Sequence, residues 1–280
     1  MRHFWEVVFH LEAKYAKFND EFGIIQKPRL MPLAAITFDI WETILADASD
    51  EPKRAGQDRG SKAEVRRQLF WETLSRHVAA DKAVTDAAFD MHEAAFRKVW
   101  HSMAVTWEVP DRLDILFDGF GVTLPPDERD ALIARFESME LEVKPDIIDG
   151  AANVIAELAD RFKLCIISDT IYTPGHNLRE ILDHHGVKRH FQGFVFSDEV
   201  GRSKPHARCF ESAAEQLGLP LPEIVHIGDR EAKDIAGAKA AGMKAILFTG
   251  ARDEGSAETT RADAVVSCYS DLIDAVTGLA

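Results

Sequence analysis

The chain has 280 residues, of which 46% are hydrophobic and 29% charged, so it is long enough to bury a substantial core and has the composition of a soluble globular protein. Its formal net charge of −14 argues against polyanionic partners, namely nucleic acid and anionic membrane surfaces. No apolar run approaches the roughly 20 residues that span a bilayer, and the cysteines are far apart and lack the spacing of a disulfide framework or a structural zinc site. We therefore expect a cytoplasmic protein without nucleic-acid or membrane partners.

The first predicted element lies in an N-terminal extension over residues 1–32. Apolar residues recur there at helical spacing and form one face of a helix that docks on the domain or on a partner: Phe4, Val8, Leu11, Tyr15 and Phe18. The apolar run LAAITFD follows and predicts a buried strand that ends at Asp39.

A helical insert is predicted next, because about a hundred residues separate this strand from the following one, which is too long for a loop. Most of the interval has helical periodicity, as in EVRRQLFWETLSRHV, DAAFDMHEAAFRKVW and PDERDALIARFESM. The segment DASDEPKRAGQDRGS, rich in charges and turn formers, predicts a flexible first hinge, and EVKPDIIDG predicts the second hinge. We expect an all-helical cap domain over residues 49–145.

The second half of the chain alternates between strand and helix patterns. The predicted strands are KLCIIS, GFVFS, IVHIG, KAILF and DAVVS, and the helices between them include AANVIAELADRF, GHNLREILDHHG, ARCFESAAEQLG and DIAGAKAAG. This alternation is typical of βαβ units and a parallel sheet. The predicted fold class is therefore α/β, a doubly wound (Rossmann-like) parallel sheet core over residues 33–48 and 146–280, with the helical cap inserted.

Chemically useful side chains follow four of these strands. Asp39, Ser168 and Asp229 stand directly after apolar runs, Asp234 comes soon after Asp229, and Lys204 lies in the loop after GFVF. Ligands of an open parallel sheet bind beyond the carboxyl ends of the strands, so we expect these groups to meet at one rim. A carboxylate nucleophile, phosphate donors and metal-binding acids together suit phosphoryl transfer.

Four short motifs, FDIWET, IISDT, GRSKP and GDREAKD, occur in this order along the chain. They resemble the four motifs of the haloacid dehalogenase-like (HAD) hydrolase superfamily, and the likeness extends from about residue 33 to the C-terminus. One such match is weak evidence, but four in order, each at a predicted strand end, are specific. The insert lies between the first and second motifs, as in family members with a helical (C1-type) cap.

The resemblance implies a role for each matching residue. Asp39 corresponds to the nucleophile that forms an aspartyl-phosphate, and Lys204 to the cation that neutralises the nucleophile and the phosphate. Thr43 corresponds to the residue that supports the nucleophile turn, Ser168 to a hydrogen-bond donor to phosphate, and Asp169 to a backbone N–H donor. The implied substrate is a small phosphorylated metabolite, and the oligomeric state is left open.

The resemblance also implies a Mg²⁺ site. Asp39, Asp229 and the backbone carbonyl of Trp41 correspond to metal ligands, and Asp234 binds directly or through water. Oxygen ligands with retained waters are what this hard cation prefers. The expected reaction is thus a Mg²⁺-dependent phosphohydrolysis.

Trp41 departs from the phosphatases of the family, where a second Asp usually protonates the leaving group. An indole cannot shuttle a proton, and general acid–base catalysis contributes typically ~10²–10⁴-fold, so a slower enzyme, a good leaving group or a substitute acid is expected. The candidate substitutes are Glu42, His92, His101 or another residue of the insert, and Trp41 itself is expected to pack against the insert and shape the pocket.

Two alternatives stay open. The first is a metal-independent 2-haloacid dehalogenase, since those enzymes carry an aromatic residue at the position of Trp41. The motif GDREAKD argues against this alternative, because an enzyme without a metal has no use for Asp229 and Asp234 together. The second is a catalytically weak HAD-like binding or regulatory protein. Residues of the first hinge and the insert are candidates for substrate contact, but none is assigned to the site: Arg54, Arg59, Trp100, His101 and Trp107.

Overall fold

Six parallel strands form one sheet with the order β3-β2-β1-β4-β5-β6 in a computed structural model that describes residues 32–252 and 255–280. The strands are β1 Ala35–Phe38, β2 Lys163–Ser168, β3 Gly193–Phe196, β4 Ile224–Gly228, β5 Lys244–Phe248 and β6 Ala264–Val266. The strand order reverses beside β1, which lies between β2 and β4. This reversal is the switch point at which such sheets bind ligands. The predicted α/β fold class is confirmed, while the helix predicted in the N-terminal extension lies outside the described residues.

Helices follow the strands in the second half of the chain and surround the sheet. They are α7 Ala151–Ala159, α8 Gly175–His184, α9 Ser197–Val200, α10 Ala207–Leu217, α11 Ala236–Ala241 and α12 Leu272–Leu279. Their numbering continues from the six helices that precede them in the chain. Alternate residues of β1 face opposite apolar clusters: Ile36 and Phe38 belong to one, and Ala35 to the other. Both faces of the sheet are therefore buried, which explains why its strands are nearly continuous apolar runs.

The interval between β1 and β2 is helical, as its periodicity predicts. It contains α1 Asp50–Gly56, α2 Lys62–Ser75, α3 Lys82–Met103, α4 Val109–Gly119, α5 Pro126–Glu137 and α6 Met139–Glu142. Helices α2 to α5 share an apolar cluster of their own that includes Phe70, Phe89, Leu113, Phe117 and Phe136. The limits of separate core and cap domains, 33–48 with 146–280 and 49–145, stay a prediction.

The flexible first hinge is where the prediction was partly wrong, because α1 lies within it. The acids Asp50 and Glu51 fall in the first turn of α1 and the bases Lys53 and Arg54 in its last turn. This charge order complements the helix dipole, and Pro52 is tolerated because N–H groups of a first turn have no intrahelical acceptor. The charges that suggested a loop thus stabilise a short helix.

Among residues 32–252 and 255–280, no helix is both long and apolar enough to cross a bilayer.

Candidate active site

Asp39 lies directly beyond the last residue of β1, at the centre of the sheet. Its backbone N–H donates to the carbonyl of Ile227 in β4 at 2.9 Å, which extends the pairing of the two strands. The residue is only 6% exposed, and Lys204 Nζ lies 2.6 Å from its Oδ1. The same ammonium lies 2.6 Å from Oδ1 of Asp234, so one buried cation joins two of the predicted acids.

Three carboxylates meet at this rim. Asp39, Asp229 and Asp234 each offer one oxygen, and these oxygens lie within 4.8 Å of one another. Asp229 follows Gly228, the last residue of β4, and Asp234 lies in the π-helical turn Glu231–Ile235. A Cβ at Gly228 would lie 2.4 Å from Cγ of Asp234, so only glycine lets the second acid reach the rim.

Asp234 is held by donors of the protein itself. Its Oδ1 contacts Lys204 Nζ at 2.6 Å and His226 Nε2 at 3.2 Å, and its Oδ2 accepts from the backbone N–H of Arg230 at 2.9 Å. His226 in turn contacts Thr37 Oγ1 at 2.8 Å through Nδ1. A buried chain of polar groups in β1 and β4 therefore fixes the orientation of this carboxylate.

Asp229 is different, because both of its carboxylate oxygens are buried and neither receives a hydrogen bond from the residues that the structure describes. The Nε atoms of Arg252 and Arg230 lie 3.5 and 3.9 Å from its Oδ2. Buried polar groups are nearly always hydrogen-bonded, so open acceptors at this depth suit a ligand that the chain does not supply.

Crowding of three acids around one lysine shifts their pKa values. Burial raises the pKa of Asp229 to about 8, and the charges of Asp234 and Asp39 act in the same direction. Burial also raises the pKa of Asp39, more than Lys204 lowers it. Burial alone would raise the pKa of Asp234, but Lys204 and His226 hold it well below its usual range. The rim thus contains more acid than its lysine balances, which suits a bound cation.

The predicted phosphate-binding residues lie at the same edge of the sheet. Ser168 is the last residue of β2, next to β1, and is buried. Thr43 lies in the turn after β1, where its N–H donates to the carbonyl of Ile40 at 3.3 Å, and its buried hydroxyl has no partner among the described residues. Their contacts with phosphate stay predictions.

The side chain of Asp169 joins three segments. Its Oδ1 accepts from the backbone N–H of Lys204 at 2.9 Å, and its Oδ2 accepts from Lys233 Nζ at 2.9 Å and from Trp100 Nε1 at 2.8 Å. Lys233 Nζ also lies 3.6 Å from the centroid of the Trp100 ring. Trp100 belongs to α3, so this carboxylate connects the insert to the lysine that contacts Asp39.

A cavity of about 250 Å³ lies between the rim and the insert. The rim contributes Asp39, Lys204 and Asp234 to its wall, and the insert contributes Lys62, Arg66, Trp100 and Glu140. Trp41 lines this cavity as well, and the rest of its side chain packs against the apolar cluster of the core.

The three proposed substitutes for the missing acid do not line the cavity. His92 is buried in α3, and the ring of His101 packs on Trp100 at 4.4 Å. Glu42 lies in the turn after β1, in the left-handed region with φ of 56°. The cavity instead contains the carboxyl groups of Asp47 and Glu140 besides those already described.

Several residues of the site were missed by the sequence analysis. His226 has one signal, since it interrupts the apolar strand IVHIG two positions before Gly228. The others are charged residues on helices, where a solvated side chain is the usual expectation, so no sequence signal distinguishes them: Lys62, Arg66, Glu140 and Lys233.

The family model for haloacid dehalogenase-like hydrolases matches residues 33–242, which is more than half of the chain. Among curated proteins, a glyceraldehyde 3-phosphate phosphatase of Methanocaldococcus jannaschii is 30% identical over 94 residues, 34% of this chain and 41% of that protein. A phosphoserine phosphatase of Thermus thermophilus is 38% identical over 68 residues, 24% of this chain and 27% of that protein. The aligned segments thus span less than half of these relatives.

A similar fold occurs in the crystal structure of a HAD phosphatase from Thermococcus onnurineus. The two chains are 23% identical, with a TM-score of 0.60 over 88% of this chain and 99% of that one. At this identity the likeness concerns the fold alone. The family match over residues 33–242 shows that this chain belongs to the haloacid dehalogenase-like hydrolases.

Proposed function

We propose that the protein is a Mg²⁺-dependent phosphohydrolase that acts on a small phosphorylated metabolite through an aspartyl-phosphate on Asp39. The observation that carries this proposal is the buried contact of Asp39 with Lys204 at 2.6 Å beside the carboxylate of Asp229, whose buried oxygens receive no hydrogen bond from the described residues. A nucleophile, a fixed cation and an open metal ligand thus share one rim. The named phosphatase relatives support the substrate class, and a cytoplasmic location stays a prediction.

The rim fits a divalent cation. The donor set is entirely carboxylate oxygen within 4.8 Å, which suits Mg²⁺ rather than a softer metal. Asp229, Asp39 and the carbonyl of Trp41 would hold the ion directly. Asp234 is already occupied by three donors, which favours contact through water. When bound, Mg²⁺ neutralises charge that develops on the phosphoryl group.

The chain's own residues account for the two chemical steps. In the first, an oxygen of Asp39 attacks phosphorus, and the bond between phosphorus and the leaving oxygen breaks. In the second, water attacks phosphorus, so phosphate departs and the carboxylate is regenerated. Lys204 keeps Asp39 oriented, because its ammonium is buried and its pKa is raised by Asp234 and Asp39 against the effect of burial. Ser168, Thr43 and the N–H of Asp169 would bind the phosphate oxygens.

Trp41 sets the kind of leaving group that is expected. The indole N–H cannot give its proton to the departing oxygen, and Glu42, His92 and His101 do not line the cavity. Glu140 of the insert does line it, but Arg66 and Lys62 lower its pKa against the effect of burial, which makes it a poor proton donor. Substrates whose leaving group departs without protonation, such as acyl phosphates and aryl phosphates, should therefore react fastest.

A panel of phosphate esters tests the proposal. Phosphate release from p-nitrophenyl phosphate and acetyl phosphate is measured with Mg²⁺, with EDTA and in the Asp39→Asn variant. We expect release only with Mg²⁺ and the intact Asp39. Inactivity across the panel would instead favour a binding or regulatory role.

The same variants address the dehalogenase alternative, which Trp41 favours. Chloride release from 2-chloropropionate in EDTA would identify attack of Asp39 on carbon and contradict the proposal. We expect no chloride, because a metal-free enzyme gives no reason to bury Asp229 beside Asp39 with no hydrogen bond to either of its oxygens among the described residues.

A further inference from the structure

The insert contributes two cations to the wall of the cavity, Lys62 and Arg66. They lie four residues apart on α2 and therefore on the same face of the helix. Lys62 is 9% exposed and Arg66 only 5%, whereas such side chains are almost never fully buried unless they are paired.

Arg66 has few acceptors for its five N–H donors. Nη2 reaches the carbonyl of Phe136 and Oε1 of Glu140, each at 3.5 Å, the limit of a hydrogen bond. The buried Nε has no partner, and no acceptor for Nη1 occurs within the described part of the chain. A buried guanidinium nitrogen without a partner requires an explanation, and a bound ligand provides one.

The neighbouring acids, Asp50 and Glu140, both contact Lys62, and Oε1 of Glu140 lies 3.3 Å from Lys62 Nζ. Asp50 Oδ1 accepts from Lys62 Nζ at 2.7 Å, and Glu140 Oε2 accepts from the hydroxyl of Thr173 at 2.7 Å. Burial would raise the pKa of Glu140, but Arg66 and Lys62 lower it, so this acid is ionised. Two acids thus balance the charge of the two cations, while Nε of Arg66 stays without an acceptor among the described residues.

The guanidinium of Arg66 is held in a fixed plane. Its Cζ lies 3.6 Å from the centroid of the Tyr172 ring, and the hydroxyl of Tyr172 donates to Glu93 at 2.7 Å. Stacking on an anchored ring leaves the edge of the guanidinium as its binding surface. A planar group with two acceptor oxygens is what a fixed guanidinium edge binds best.

We infer that the substrate bears a carboxylate besides its phosphate, and that Arg66, with Lys62 beside it, binds this carboxylate at the insert side of the cavity; this assignment rests on the proposed phosphohydrolase function. The phosphate occupies the rim at Asp39, so both ends of the substrate are anionic. At about 250 Å³ the cavity is smaller than the ~300–1,000 Å³ of pockets for drug-sized ligands, so the substrate is a short phosphorylated acid.

Two pairs of compounds test the inference on the unaltered protein. O-phosphoserine is compared with O-phosphoethanolamine, which lacks only the carboxylate, and 3-phosphoglycerate is compared with glycerol 3-phosphate, which has a neutral hydroxyl group instead. In at least one pair we expect kcat/KM to be about tenfold or more higher for the carboxylate, the range of a hydrogen bond to a charged group. Equal or lower values for the carboxylates in both pairs would overturn the inference.

A variant assigns the preference to Arg66. In Arg66→Gln, the ratio of kcat/KM between the carboxylate compound and its partner in the preferred pair should fall about tenfold and approach one. Arg66→Lys should restore part of this ratio. A purely structural role would lower both rates and leave their ratio unchanged, which would overturn the assignment. The matched control is Arg67→Gln, because Arg67 pairs with Asp90 at 2.6 Å outside this cavity; its ratio should equal that of the unaltered protein.

Binding separates this inference from the proposed function. The same pairs are titrated calorimetrically into the Asp39→Asn variant with Mg²⁺. A preference of about tenfold for the carboxylate compound supports the Arg66 site even if no compound is hydrolysed. Equal binding of the two compounds in each pair would overturn the Arg66 site even if the unaltered protein hydrolyses them.

Discussion

The two sides of the cavity are built in different ways. At the rim, Asp39 and Asp229 directly follow paired parallel strands, so their positions are set by the backbone of the sheet. On the insert side, Arg66 and Glu140 come from separate helices, α2 and α6, and meet only through the tertiary fold of the insert. The comparison shows that reaction chemistry is fixed by local strand geometry, whereas recognition depends on tertiary packing. Changes at the rim should therefore alter turnover, and changes on the insert side should alter discrimination or stability.

The largest effect is expected at Asp229. Asp229→Asn removes a charged ligand, so we expect the Mg²⁺ concentration for half-maximal activity to rise at least about tenfold. Titration of phosphate release with Mg²⁺ measures this. Asp183→Asn, an exposed change on α8, is the control and should leave the Mg²⁺ dependence unaltered. If Asp229→Asn left the Mg²⁺ dependence unchanged, the assignment of Asp229 as a metal ligand at the rim would be wrong.

The next effect concerns the leaving group. Trp41→Asp supplies an acid at the position where related phosphatases carry one, so the rate on alkyl phosphates should rise relative to that on p-nitrophenyl phosphate. We expect the ratio of the two rates to increase at least about tenfold, the lower part of the range for general acid catalysis. Trp41→Phe is the matched control, because it removes the indole without adding an acid. A ratio that rises equally in both variants would show that cavity shape, and not proton donation, limits the rate.

A smaller effect is expected where the two sides touch. Trp100→Phe keeps an aromatic ring but removes the hydrogen bond from Nε1 to Asp169. One lost hydrogen bond to a buried carboxylate should lower Tm by about 3 °C and raise KM severalfold. Thermal unfolding and steady-state kinetics measure the two quantities. Trp107→Phe is the control. If KM rose equally in that variant, the effect could not be assigned to the hydrogen bond between Trp100 and Asp169.

The smallest effect tests stability without chemistry. Burial raises the pKa of Glu137 from 4.5 to about 7, with Asp198 and Glu108 adding to the shift. Because the folded pKa is the higher one, the stabilisation is complete below pH 4.5 and is lost as pH rises through about 7. Glu137→Gln should therefore raise Tm by about 2 °C at pH ~8 and leave it unchanged at pH ~4.5. Thermal unfolding of the variant and of the unaltered protein at both pH values measures this difference in Tm. Glu137 does not line the cavity, so kcat should stay the same, and a changed kcat would contradict a role in stability alone.

The sequence predicts the rim well for a physical reason. A strand buried on both faces is a short apolar run, so the residue after it is visible, and parallel strands bring such residues to one edge. Asp39 and Asp229 directly follow β1 and β4 as predicted, and Ser168 is the last residue of β2. His226 was missed because a histidine in an apolar strand is usually a core residue.

The insert side was not predictable in the same way. Helical periodicity indicates that helices exist but not which of their charged residues face a cavity. Arg66 and Glu140 are charged residues on helices, like many that are solvated, and only tertiary contacts with residues such as Tyr172 and Thr173 bury them. Similarly, α1 was predicted as a hinge because its charges are typical of loops.

The most direct measurement is to trap the covalent intermediate on Asp39. The protein is mixed with acetyl phosphate and Mg²⁺, quenched with sodium borohydride, which reduces an acyl phosphate on aspartate to homoserine, and analysed by peptide mass spectrometry. We predict homoserine at position 39, present only with both Mg²⁺ and the phosphate donor and absent from every other aspartate. Homoserine at a different aspartate, or rapid turnover with none at position 39, would contradict the assignment of Asp39 as the nucleophile.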